Sequence, residues 1–143
     1  MSFYIGIVGK TGFMLNDYEM ITIQKKINDA ISNYKEKYQD DDGDPSVYVV
    51  GGLRMEGLNL VAYNIAQGIK GCKYIGIESK NSKGYFNPLP NLISHLVEGA
   101  PGSDEESEAF LKNVDVLIGI GASFVPVDKV KIELAKKKGI PTL

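Results

Sequence analysis

The sequence predicts an α/β domain of the three-layer, Rossmann-like kind: a mainly parallel sheet with helices on both faces. Three observations lead there. Short β-branched runs alternate with stretches of helical periodicity. Three of those runs end in glycine-bearing turns, after Val8, Val50 and Ile118. Residues 47–77 compress a strand, a helix and a second strand into about 30 residues, the size of a parallel crossover. At 143 residues, 43% hydrophobic and 24% charged, the chain fits one domain, residues 1–143. A domain of that size buries about two-thirds of its unfolded surface.

Residues 3–8 (FYIGIV) are an apolar run that stops at Gly9-Lys10-Thr11-Gly12, a buried strand and its turn. Asn16 as N-cap with Glu19 three residues on starts a helix, and Met20, Ile23, Ile27, Ala30, Ile31 and Tyr34 recur at helical spacing until about residue 38. Residues 39–45 (QDDDGDP) form a solvated loop without the spacing of a calcium loop. Residues 47–50 are a strand, residues 58–69 a helix and residues 74–77 a third strand. Residues 78–90 are polar and punctuated, too irregular for a core element. Residues 92–97 (LISHLV) read as a short strand, and Ser103 with Glu106 forms a capping box for a helix to about residue 112. Residues 114–118 are a strand, residues 127–138 a helix closed by Gly139 and Pro141, and residues 140–143 a last strand.

Composition narrows the function. A net charge of −2 and a pI near 5.4 argue against general nucleic-acid binding, which needs a basic face. The lysines at 136–138 read as a solvated last helical turn. One cysteine and one histidine exclude an internal disulfide and a Cys/His zinc site, so neither metal nor cofactor is expected. No apolar run reaches the roughly 20 residues that span a bilayer. A soluble, cytoplasmic protein without membrane or nucleic-acid partners is the expectation.

The glycine turns are the candidate site. In a parallel sheet they share the rim at the carboxyl ends of the strands, where ligands bind. Glycine lets backbone N–H groups approach an anion, and a helix N-terminus adds its positive end. Arg54 is the chain's only arginine and lies in the turn Gly51-Gly52-Leu53-Arg54-Met55-Glu56-Gly57. Its planar fork matches phosphate or carboxylate better than an ammonium does. The expected ligand-binding residues are Gly9, Lys10, Thr11, Gly51, Gly52, Arg54, Gly57, Gly119, Gly121, Ala122, Ser123 and Phe124. Phe13, Tyr85, Phe86 and Phe124 are candidates for stacking on a base. Gly9-Lys10-Thr11 lacks the upstream glycine of a P-loop, no Gly-x-Gly-x-x-Gly follows the first strand, and His95 lacks a nucleophile partner.

Residues 49–54 (VVGGLR), Gly57 opening a helix with Ala62 and Ala66, Gly71 and the strand at 74–77 resemble the SLOG superfamily. So does the later stretch 113–121 with Glu133, Ala135, Gly139 and Pro141. That superfamily takes in the LONELY GUY-type, lysine-decarboxylase-like proteins, the Smf/DprA DNA-processing proteins and nucleotide-sensing domains. The resemblance implies a Rossmann-like nucleotide-binding domain that pairs as a homodimer. It leaves two functions open. One is a module that senses or sequesters a nucleotide or a nucleotide-derived phosphorylated molecule. The other is a hydrolase of the N-glycosidic bond of nucleoside 5′-monophosphates, with Glu56 or Glu133 as the catalytic carboxylate and Arg54 placing the phosphate. LONELY GUY-type hydrolases carry Pro-Gly-Gly-x-Gly-Thr-x-x-Glu after this strand. Here residues 119–126 read GIGASFVP, without the Thr-x-x-Glu.

Overall fold

The computed structural model describes residues 2–9, 15–37, 46–81, 89–120 and 126–143. The elements run β1 (Ser2–Gly9), α1 (Asp17–Lys37), β2 (Ser46–Gly51), α2 (Gly57–Gln67), β3 (Cys72–Ser79), β4 (Leu92–Val97), α3 (Asp104–Leu111), β5 (Val116–Ile120) and α4 (Pro126–Lys137). Local chemistry explains their ends. Asn16 and Glu19 form a reciprocal capping box: the Glu19 N–H donates to Asn16 Oδ1 at 2.8 Å, and the Asn16 N–H donates to Glu19 Oε1 at 3.1 Å. At the other end of the chain, α4 closes as expected. The Ile140 N–H reaches back to the Ala135 carbonyl at 2.9 Å, and the Gly139 N–H to that of Lys136.

The five strands form one parallel sheet in the order β4-β3-β2-β1-β5. The chain steps outward from β1 to β4, then returns to lay β5 on the other side of β1. Strand order therefore reverses between β1 and β5. The carboxyl ends of β2, β1 and β5 stand side by side, which puts the starts of the three glycine-bearing turns on one rim.

Two apolar clusters divide the helices between the faces. Ile23, Ile27 and Ile31 of α1 and Leu58, Ala62 and Ala66 of α2 pack with Ile5, Ile7, Val49 and Ile118. Phe110 and Leu111 of α3 and Ala135 of α4 pack with Val8, Val50 and Leu117 on the opposite face. The alternation of side chains along β1 and β5 feeds both clusters, as a sheet covered on both sides requires. Cys72 opens β3 inside the first cluster, and burial raises its thiol to about 11.

Several boundaries differ from expectation. β3 extends through Glu78 and Ser79, because both pair with β4 and so belong to the sheet rather than to the irregular segment. β5 begins at Val116 and includes Gly119, which pairs with Val8 as a strand residue. Asp115 is used instead to tie the strand's start to β1: its carboxylate accepts the Tyr4 N–H at 2.9 Å, and its own N–H donates to the Tyr4 carbonyl. Residues 140–143 contribute a single parallel bridge, Leu117 with Thr142, rather than a full strand. The acidic loop at 39–45 lies outside the described residues.

Gly9 ends β1 with a φ of +152°, and an added Cβ would run into the backbone carbonyl of Ile120 on the neighbouring strand. That carbonyl belongs to the sheet and has nowhere to go. Gly9→Ala is expected to destabilise the fold by about 2 kcal/mol or more in urea denaturation.

Candidate ligand-binding site

A cavity of about 360 Å³ opens at the carboxyl end of the sheet, on the face covered by α3 and α4. Ile7, Val8 and Gly9 of β1, Ile77 and Glu78 of β3, and Gly52 and Arg54 of the turn after β2 line one side. Asn59 of α2 lies beneath that turn. Pro101, Glu106 and Phe110 close the cavity from α3 and its approach, and Asp128 and Lys131 from α4.

The turn after β2 is held rigidly. Asn59, buried on α2, accepts the Gly52 N–H at 3.2 Å through Oδ1 and donates through Nδ2 to the Arg54 carbonyl at 3.1 Å. From β3, the hydroxyl of the fully buried Tyr74 donates to the Gly52 carbonyl at 2.7 Å. These side chains fill the space a side chain at the turn would need. A Cβ on Gly52 would stand 2.7 Å from Asn59 Nδ2, and one on Gly51 would collide with the Tyr74 hydroxyl. The paired glycines thus serve the close packing that fixes where Arg54 leaves the backbone. Arg54 itself is exposed at the mouth, and its guanidinium forms no ion pair among the described residues.

The far wall is built around an ion pair. Lys131 Nζ lies 2.7 Å from Glu106 Oε2, with both side chains about 95% buried. The ammonium also stands 5.3 Å from the Phe110 ring centroid, over its electron-rich face. Glu106 had been expected to complete a capping box with Ser103. Only half of it forms: the Glu106 N–H donates to Ser103 Oγ at 3.2 Å, while the carboxylate turns inward to Lys131. Asp128 sits one helical turn before Lys131, on the same face of α4. Burial pushes its carboxyl up to about 6, against the pull of Lys131 and with a further push from Glu106. Burial likewise raises Glu78, opposed by the Leu53 N–H bonded to it, by Arg54 and by Lys131. The cavity thus joins an exposed guanidinium, a neutralised ion pair and two carboxyls that hold protons more tightly than usual.

The sequence-derived candidates divide accordingly. Gly9, Gly52 and Arg54 line the cavity, and Gly51 and Gly57 lie in the same turn, with Gly57 opening α2. Gly119 lies within β5. Lys10, Thr11, Gly121, Ala122, Ser123 and Phe124 fall outside the described residues, as do Phe13, Tyr85 and Phe86. Glu56 is the exposed N-cap of α2 and makes no side-chain cap bond; Glu133 is exposed on α4. Neither lines the cavity. His95 is exposed on β4.

The architecture is a known one. The fold is Rossmann-like. Two solved structures superpose over 99% of this chain and 75% of their own: that of the Moco carrier protein from Chlamydomonas reinhardtii, at 17% identity and a TM-score of 0.65, and that of the molybdenum cofactor carrier protein MCP from the same organism, at 15% identity and a TM-score of 0.68. No protein-family profile and no curated protein sequence matches the chain.

Lys131→Met leaves Glu106 buried without its partner and is expected to destabilise the protein by about 3–5 kcal/mol, whereas adding Glu106→Leu recovers most of that loss. Urea denaturation of the two variants checks it. Asp128 sets a pH dependence of the opposite sense to a stabilising acid. Below the ordinary 3.8 the group is protonated whether folded or unfolded; as pH rises toward 6 the unfolded chain ionises first, and the folded state loses stability. Asp128→Asn is therefore expected to be more stable than the natural protein at pH 7, with the gain vanishing by about pH 4, as read from melting temperatures across that range.

Proposed function

We propose that this protein binds a nucleotide or a nucleotide-derived phosphorylated small molecule at the carboxyl rim of its sheet, as a sensor or a sequestering module. The observation that carries this reading is the convergence of Arg54, Gly9 and Gly52 on one cavity with both apolar and charged side chains in its walls. An exposed guanidinium beside glycine turns suits a phosphate at the mouth. The apolar walls from Val8, Ile77 and Phe110 suit the flat body of a base behind it. Solved proteins of the same architecture carry a small molecule, the molybdenum cofactor, which supports a holding role. Together with the resemblance to the SLOG superfamily, the proposal covers a single-domain cytoplasmic protein that works as a homodimer, with neither nucleic acid nor membrane as partner. Among the described residues no helix is long and apolar enough to cross a membrane. The outer face of α1, where Tyr18 is 78% and Ile21 68% exposed, is the surface such a pair would use.

One observation favours hydrolysis of the N-glycosidic bond of a nucleoside monophosphate as a second reading. Asp128 faces the cavity with its carboxyl near 6, where a group exchanges protons close to neutral pH. It suits the role of catalytic carboxylate better than the exposed Glu56 and Glu133.

Arg54→Ala is expected to weaken binding of nucleoside monophosphates by about tenfold or more in calorimetry, consistent with loss of a charged hydrogen bond. The unfolding midpoint should stay where it is. An unchanged affinity would overturn the phosphate role. Chromatography of the same mixtures separates the two readings: free base appears if the protein hydrolyses, and intact nucleotide is recovered if it only binds.

A further inference from the structure

We infer that the inner end of the cavity selects a ligand edge bearing two adjacent hydrogen-bond donors, the ring N–H and exocyclic amine of a guanine-type base, with Asp128 as the specificity-determining acceptor. This rests on the phosphate reading at Arg54 and extends it to the other end of the ligand.

The acceptor inventory points that way. Glu106 and Lys131 are bonded to each other, and Lys131 is further engaged with the Phe110 ring, so their charges largely offset each other toward a ligand. Two carboxylates remain. Glu78 already receives the Leu53 N–H. Asp128 is half-buried, and no hydrogen bond or ion pair joins it to another described residue. A carboxylate offers about four lone-pair sites and, when ionised, no donor. A carboxylate partly withdrawn from water is stabilised by donors and not by acceptors, so a ligand that brings donors is favoured over one that brings acceptors. Among the described residues no group of three or more His, Cys, Asp or Glu is arranged to hold an ion.

The order of groups along the ligand then assigns the ends. Arg54 is exposed at the mouth, whereas Asp128 stands beside the buried Glu106 and Lys131 at the opposite wall. A nucleoside monophosphate with its phosphate at Arg54 places the ribose between and the base against Asp128. Guanine presents an N–H and an amine side by side, matching the two oxygens of a carboxylate. Adenine presents one amine next to a ring-nitrogen acceptor that would face the carboxylate lone pairs. Reading a base through its pairing edge is how enclosed pockets discriminate among bases. Pterins carry the same 2-amino-4-oxopyrimidine edge.

Calorimetry of the full chain with GMP, neopterin monophosphate and AMP tests this. GMP or neopterin monophosphate should bind about tenfold or more tightly than AMP, and whichever of the two binds tighter names the source of the edge. Asp128→Asn should bring that ratio to within about twofold while phosphate-dependent binding persists, with Asp128→Ser as the second variant should the first fail to fold. AMP binding as tightly as both, or an undiminished ratio in the Asp128 variants, overturns the inference and leaves the phosphate site at Arg54 standing. Binding of none of the three overturns both.

Discussion

The ion pair between Lys131 and Glu106 is the constraint on which the site depends. It joins α3 to α4 beneath the more exposed Lys138–Glu108 pair at the end of α4, and it sets a positive against a negative charge at the cavity wall. Removing two charges from water is unfavourable, and only close geometry offsets it. Here the separation is 2.7 Å, and an aromatic face adds a further contact for the ammonium. A pair of apolar residues of similar volume would hold the helices as well. What the pair supplies beyond adhesion is an electrostatic setting: Lys131 and Glu106 act on Asp128 and Glu78 with opposite signs, so burial decides where those two acids titrate.

The opposite wall is built on a different principle. There the backbone is positioned by neutral hydrogen bonds, two through Asn59 and one through Tyr74, and the turn glycines leave room for those side chains. A rim fixed by hydrogen bonds, with an exposed guanidinium, therefore faces a wall whose charges are paired. The carboxyl ends of β1 and β3 form the floor between the two walls.

Much of this was legible in the sequence, and the parts that were not share a cause. Local signals held: the Asn16–Glu19 box starts α1 as its spacing implies, LISHLV is β4, and Gly139 with Pro141 ends α4. Arg54 and two of the glycines were found at the cavity because turns after parallel strands share a rim by topology alone. Glu78 was missed by one residue, since pairing with β4 rather than local composition carries β3 past Ile77. Glu106 was read as a cap because a capping box is a local pattern, while its actual partner lies 25 positions away. Asp128 and Lys131 look like any amphipathic helix face until α3 is packed against it. Asn59 carried no signal, because a lone asparagine in a helix is ordinarily solvated.

Cys72 has a use of its own. It is the chain's only cysteine, it is buried at the start of β3, and at a pKa of about 11 only about one thiol in ten thousand is ionised at neutral pH. Maleimides and disulfide reagents attack the thiolate, so the natural protein is effectively silent toward them. A cysteine introduced anywhere on the surface would be the sole position labelled, which makes the unaltered sequence a ready background for attaching a fluorophore or spin label near the cavity mouth.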